Sequence, residues 1–221
     1  RVEGPLLGNS AAVRALREMI DRYAATTEPL LLTGPYGGGH EAVARAIHHA
    51  SSRSRNAFLH LNCTLVPVGH DLGLLEGTSG ENPRPSLWEL AHRGTLYLEE
   101  VQRLPPEVQE RLAGFLAGET TCDVRLIAYS STAPLVPRDF HPKLLARLEV
   151  RQLRVPPIAE RSDDIGELAL FYVQQHTRRV GSVAQGISET SMDRLRNYRW
   201  PGGIQELQSL MERAVSSATG P

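Results

Sequence analysis

The chain has 221 residues, 41% of them apolar and 22% charged, with a formal net charge of −1. That is enough for one large domain, or one domain with a small satellite, and the near-neutral charge is not the footprint of a nucleic-acid binder. No apolar run reaches the length of a membrane span, and the opening residues do not read as a signal peptide. Cys63 and Cys122 form no C-x-x-C pair, so a reduced, cytoplasmic setting is expected. The first residue is Arg1 rather than Met, which suggests a segment of a longer protein.

Ser10 can cap a helix that carries Val13, Leu16 and Ile20 on one face. Leu30 to Thr33, bounded by Pro29 and Gly34, reads as a central strand. Gly34-Pro35-Tyr36-Gly37-Gly38-Gly39-His40-Glu41 then has the frame of a phosphate-binding loop between a strand and a helix. Its glycines let backbone N–H groups curl around phosphate oxygens, and the helix points its positive end at the same anion. Where that frame has a lysine, this chain has His40. Histidine is shorter, and its ordinary pKa is about 6.5 against about 10.4 for lysine. The alternative for the loop is a tight strand-to-helix turn that binds nothing. His40-Glu41 also opens like a zinc motif, but no second histidine stands at the required spacing.

The next helix has Val43 and Ile47 on one side, with His48 and His49 expected on its surface. Ala57 to Leu61 reads as a second strand, and Cys63 as a small buried group. Residues 77–86 form a polar, breaker-rich loop. Trp88, Leu90 and Ala91 belong to a short helix, and Thr95 to Leu98 is a third strand that ends in Glu99-Glu100. Pro106 opens a helix with Val108, Leu112, Phe115 and Leu116 at helical spacing. Val124 to Ala128 is a fourth strand, and Val150 to Val155 a fifth, placed near an edge by Arg151 and Arg154. Strands alternating with helices predict an α/β parallel sheet covered on both faces. After Pro156-Pro157 the pattern is helical, with Ile165, Leu168 and Tyr172 on one face, a helix around Met192 and Leu195, and a turn at Trp200-Pro201-Gly202-Gly203. A last helix carries Ile204, Leu207, Met211 and Val215. Trp88 and Trp200 are expected to pack in the interior. No internal repeat or long low-complexity tract is present. The expected boundary lies at residue 158, between an α/β core (1–158) and a helical lid (159–221).

Taken together, these segments resemble the sigma-54-interaction type of AAA+ ATPase domain found in bacterial enhancer-binding transcription regulators. The resemblance covers nearly the whole chain. Leu7-Gly8-Asn9-Ser10 is similar to that family's domain start, and Gly34 to Glu41 aligns with its Walker A, G-E-S-G-T-G-K-E. Ala44-Arg45-Ala46-Ile47-His48 matches the family's A-R-A-I-H, and Asn62-Cys63 its N-C after the second strand. Gly94 to Glu100 resembles its Walker B, G-T-L-F-L-D-E, with Leu104-Pro105 shortly after. Pro156-Pro157 with Glu160-Arg161, and Trp200-Pro201-Gly202 with Glu206-Leu207, match its lid signatures.

The resemblance implies site residues, and the chain departs from several of them. Nucleotide binding falls to Gly34, Gly37, Gly38, Gly39, His40, Glu41 and Gln205, the last standing where the family has a lid arginine for the γ-phosphate. Glu99 takes the place of the Mg²⁺-holding aspartate, and Glu100 that of the carboxylate that polarises water. Asn62 stands where the family restrains that second carboxylate. Ser131 replaces the sensor asparagine, and His141 the first arginine finger. Arg147 matches the second finger; the sequence favours an ordinary ion pair for it over a contact with a neighbouring subunit. The family's G-A-F-T-G-A loop, which grips the sigma factor, is absent, and residues 77–87 are too few to hold it.

Each lost charge-assisted hydrogen bond to phosphate costs roughly 1.5–3 kcal/mol, about ten- to a hundredfold in affinity. A missing arginine finger costs about 10³–10⁵ in rate. The expectation is therefore a degenerate member that does not hydrolyse ATP, does not engage sigma-54, and serves as a regulatory or oligomerisation module. ATP or ADP with Mg²⁺ would bind weakly or not at all. The competing readings are an atypical ATPase relying on Glu99, Glu100 and Arg147, and a sensor of a nucleotide or cyclic dinucleotide. Expected partners are other domains of the same regulator (a receiver or sensor, and a helix-turn-helix, as in two-component systems) and further copies of the chain. No DNA contact from this segment and no membrane are expected.

Overall fold

A computed structural model describes residues 6–66, 77, 85–119, 121–132, 135, 137–184 and 186–218. Two compact units emerge. One combines Met19–Gly34 with His40–Arg154; the other combines Arg1–Glu18, Pro35–Gly39 and Val155–Pro221.

The first unit is built on five strands: β1 (Leu30–Thr33), β2 (Phe58–Asn62), β3 (Thr95–Glu99), β4 (Arg125–Ser130) and β5 (Gln152–Arg154). They lie in the order β2-β3-β4-β1-β5, and every pairing is parallel. Leu30, Leu31 and Leu32 are fully buried, as expected of a strand covered on both faces. β5 is at an edge, as its arginines suggest, but it is shorter than the run 150–155, because only Gln152, Leu153 and Arg154 find register partners on β1. Beside the sheet stand α2 (His40–Ala50), the one-turn α3 (Leu87–Leu90), α4 (Pro106–Leu116) and α5 (Pro142–Leu148), together with the last residues of α1 (Ala11–Ala24). A reciprocal capping box between Ser86 and Glu89 starts α3, and Pro106 occupies the first turn of α4. Trp88, Leu96, Leu98, Leu112 and Leu126 share one core with Leu144 and Leu148. Each such side chain adds roughly 1.5–3 kcal/mol by leaving water.

Two polar residues in this unit lie deeper than their sequence suggests. His48 is only 2% exposed rather than on the helix surface, with Nδ1 2.9 Å from Thr95 Oγ1. Burial, with His49 and Arg45 adding repulsion, lowers its pKa. Arg125 opens β4 fully buried and donates through Nη2 to the Tyr23 carbonyl. Burial pulls its guanidinium down to about 10, with Arg53 acting in the same sense.

The second unit contains α6 (Ile165–Val180), α7 (Glu189–Asn197) and α8 (Gly203–Ser217). Ile165, Leu168, Tyr172, Leu195, Trp200, Leu207, Met211 and Val215 form its core. Gly181, in the left-handed region at φ 67°, ends α6, and the Ser188 side chain caps α7. Trp200 donates from its indole to the Leu195 carbonyl at 2.9 Å. The start of the chain is tied down by Asp164, whose carboxylate accepts from the backbone N–H groups of Asn9 and Ser10 and from the Ser10 hydroxyl. Ser10 Oγ in turn accepts from Val13 N–H, capping α1. Of the polar loop expected at 77–86, only Gly77, Pro85 and Ser86 are described; the rest, with the position of the missing sigma-gripping segment, lies outside the described residues.

Candidate functional site

The glycine loop uses backbone conformations that other residues avoid. Gly34, Gly37 and Gly39 have φ values of 147°, 75° and 87°. Within the helical unit, residues 35–39 are fastened by their carbonyl groups. Ile204 N–H donates to the Gly37 carbonyl at 2.7 Å, and Arg161 Nη2 to the Gly38 carbonyl at 2.9 Å. Arg161 is 2% exposed, and burial pushes its pKa down, with Asp164 acting in the opposite sense. Gly203, at φ 64°, has no room for a side chain, since a Cβ there would come within 2.4 Å of the Gly37 oxygen. Gln205 sits half-buried in the first turn of α8.

The remaining candidates belong to the α/β unit. His40 opens α2, and its ring lies flat on Tyr129 of β4, with centroids 3.7 Å apart and planes at 19°. Tyr129 in turn donates to the Gly34 carbonyl at 3.3 Å. His40 is 4% exposed, so the residue at the lysine position is a packed ring rather than an extended cation.

Glu41 is 6% exposed and pairs with Arg45 one turn on, at 2.6 Å. Its other oxygen faces His60 Nδ1 at 3.5 Å. Burial works to raise the Glu41 pKa, but the hydrogen bonds from His60 and Arg45 outweigh it and hold the carboxyl below its usual range. His60 Nε2 lies 3.0 Å from Glu99 Oε2. Burial alone would lower the His60 pKa, yet Glu41 and Glu99 together raise it to about 9. Sequence reasoning passes over His60. The signal is its position two residues before Asn62 on one strand, because residues i and i+2 share a face.

Asn62 corrects an expectation. Its Nδ2 donates to Glu99 Oε2 at 2.9 Å, not to Glu100, because Asn62 pairs in register with Glu99 across β2 and β3. The Asn62 side-chain oxygen Oδ1 accepts from the Thr64 backbone N–H and hydroxyl. Glu100 is 5% exposed and holds a left-handed φ of 57°, rare for a residue with a side chain. Its Oε2 accepts from Gln102 Nε2 and from Ser131 Oγ. Among the described residues, Glu100 Oε1 is buried without a hydrogen-bond partner. The pair is thus held by side chains rather than solvated. Cys63 is buried as expected; burial, then Glu99 and Glu100, push its thiol pKa up.

Arg147, on α5, is exposed, and no ion pair holds it among the described residues; its Nη1 lies 3.5 Å from the Leu116 carbonyl. The expected ion pair is replaced by this long backbone contact. The backbone N–H of His141 donates to Gln109 Oε1 at 2.7 Å. A divalent metal does not fit at Glu99. Its Oε2 already accepts from Asn62 and His60, and a protonated ring so close repels a second cation. No group of three or more His, Cys, Asp or Glu is placed to hold a metal among the described residues.

A parallel sheet ordered β2-β3-β4-β1-β5, a glycine loop after β1, acids at the end of β3 and a helical region after residue 155 define an AAA+ P-loop fold. Residues 6–153 match the Sigma-54 interaction domain and residues 159–221 the AAA+ ATPase lid domain, and the chain belongs to the sigma-54 interaction family. It is 33% identical over 234 residues to the nitrogen assimilation regulatory protein NtrX of Azorhizobium caulinodans, covering 97% of this chain and 51% of that protein. The response regulator PilR of Pseudomonas aeruginosa is also 33% identical, with 97% and 53% covered. The chain therefore spans about half the length of these relatives. The structure of Brucella abortus NtrX in complex with ATP superposes with a TM-score of 0.88 at 32% identity, covering 98% of this chain and 51% of that one. The same protein has also been solved with ADP.

Proposed function

We propose that this chain is the AAA+ module of a bacterial transcription regulator, divided at residue 158 into core and lid, and that it does not turn over ATP. It acts as a regulatory or assembly module, coupled to other domains of its own regulator through a shift between packing states. The observation that carries this reading is the state of the two acids after β3. Glu99 Oε2 is held by Asn62 and His60, and Glu100 Oε2 by Gln102 and Ser131, so each acid has one oxygen committed to protein partners, and the Glu100 Oε1 that remains is buried. The replacement of three cationic positions by His40, His141 and Gln205 supports it further. Without the sigma-gripping loop, the module does not remodel sigma-54 polymerase.

A second reading, nucleotide binding without hydrolysis, is favoured by the positive φ values of Gly37 and Gly39, which keep the loop's open curl. The ATP and ADP complexes of Brucella abortus NtrX support it by relationship. Steady-state phosphate release from the purified protein tests the main proposal. Wild type and Glu100→Gln should give the same background rate; turnover abolished by Glu100→Gln would overturn it.

A further inference from the structure

β2 and β3 run parallel with His60 opposite Tyr97 and Asn62 opposite Glu99. This register points His60 and Asn62 out of the same face as Glu99. The His60 ring lies 5.0 Å from the Tyr97 ring, centroid to centroid. Its two nitrogens face two carboxylates: Nε2 lies 3.0 Å from Glu99 Oε2, and Nδ1 3.5 Å from Glu41 Oε2. A carboxylate can only accept, and a neutral imidazole has a single N–H. A ring with both nitrogens protonated, a cation, is the form that suits carboxylates on both sides. Arg45 completes the set, pairing with the other Glu41 oxygen at 2.6 Å and lying 4.4 Å above the Phe58 ring. The set of Glu41, Glu99, His60 and Arg45 sums to zero charge, all supplied by the protein.

We propose that His60, held between Glu41 and Glu99, is a built-in cation that stands in for the divalent metal of this pocket. The proposal deepens the reading of the chain as a module without ATP turnover. It explains how a Walker B acid persists in a chain with His40 at the lysine position: the carboxylate keeps a positive partner, but one fixed to the fold. A dication brought to Glu99 would have to displace the ring or share its carboxylate with it. Removing the imidazole leaves Glu99 with Asn62 alone and opens the carboxylate to a metal.

Uptake of Mn²⁺, followed by electron paramagnetic resonance in the wild type, His60→Ala and His60→Gln, tests this without depending on catalysis. The titration is run with the metal alone and again with ADP present. The wild type is expected to leave the free Mn²⁺ signal at the level of a protein-free control in both titrations, the second control containing the same ADP. Both variants are expected to bind Mn²⁺ at least tenfold more tightly than the wild type, with Glu99→Gln abolishing the gain. His60→Gln keeps the side-chain bulk and one donor, so it carries the test if His60→Ala does not fold. Equal uptake by the wild type and a folded variant, or tight uptake by the wild type, would overturn the role of His60. Phosphate release bears separately on the absence of turnover.

Discussion

The glycine loop and the acidic cluster at the end of β3 are held in place in different ways. The loop keeps its backbone: Gly34, Gly37 and Gly39 retain positive φ, and the Gly37 and Gly38 carbonyls are fastened within the helical unit. The acidic cluster is held by side chains instead, with His60 and Asn62 on Glu99 and Gln102 and Ser131 on Glu100. Backbone shape is enforced by packing that the fold needs anyway, whereas side-chain partners can be exchanged one residue at a time. A backbone frame can therefore persist while the side chains around it vary.

The largest effect should come from breaking the loop side. Gly203→Ala forces a side chain into a left-handed position with a backbone oxygen 2.4 Å away. It should cost about 2–4 kcal/mol, since strain and a backbone clash act together. Urea unfolding would read this as a lower midpoint, and a neutral outcome would mean that the loop is not fastened as described. On the acidic side, Asn62→Ala removes one donor from Glu99 and the support it gives Thr64. A cost of about 1.5–3 kcal/mol is expected, in the range for hydrogen bonds to charged groups. A loss above that of Gly203→Ala would reverse the ranking of the two regions.

A third effect is one of pH. His60 has its folded pKa raised to about 9, above its ordinary 6.5. Its contribution is complete below about pH 6.5 and fades as pH rises through 9. Glu41, held below its ordinary value, contributes above about pH 4.5 and loses that contribution as pH falls through its folded pKa. The wild-type melting temperature should therefore fall between pH 6.5 and 9.5 by more than that of His60→Gln. Parallel curves for the two proteins would remove the charged histidine from the account.

Much of the fold is legible in the order of the amino acids. The apolar run Leu30 to Thr33, the glycine frame, Pro106 at a helix start and the helical spacing after Pro157 each carry a local signal, and each falls in the expected element. The wiring of the site is less legible, because it depends on which strands are neighbours and in what register. Asn62 reads as a partner of Glu100 by motif, but the pairing of β2 with β3 sets it opposite Glu99. His60 carries no motif of its own and gains its meaning only between two acids distant in sequence. His48 and Arg125 look like surface residues by type, but the Thr95 hydroxyl on β3 and the Tyr23 backbone carbonyl on α1 give them partners inside.

The most direct measurement is the protonation state of His60 itself. In protein with ¹⁵N-labelled histidine, two-dimensional NMR assigned through a His60→Gln control should show both ring nitrogens of His60 protonated at pH 7.5. A neutral ring there, titrating near the ordinary pKa of about 6.5, would contradict an acidic cluster neutralised from within the protein.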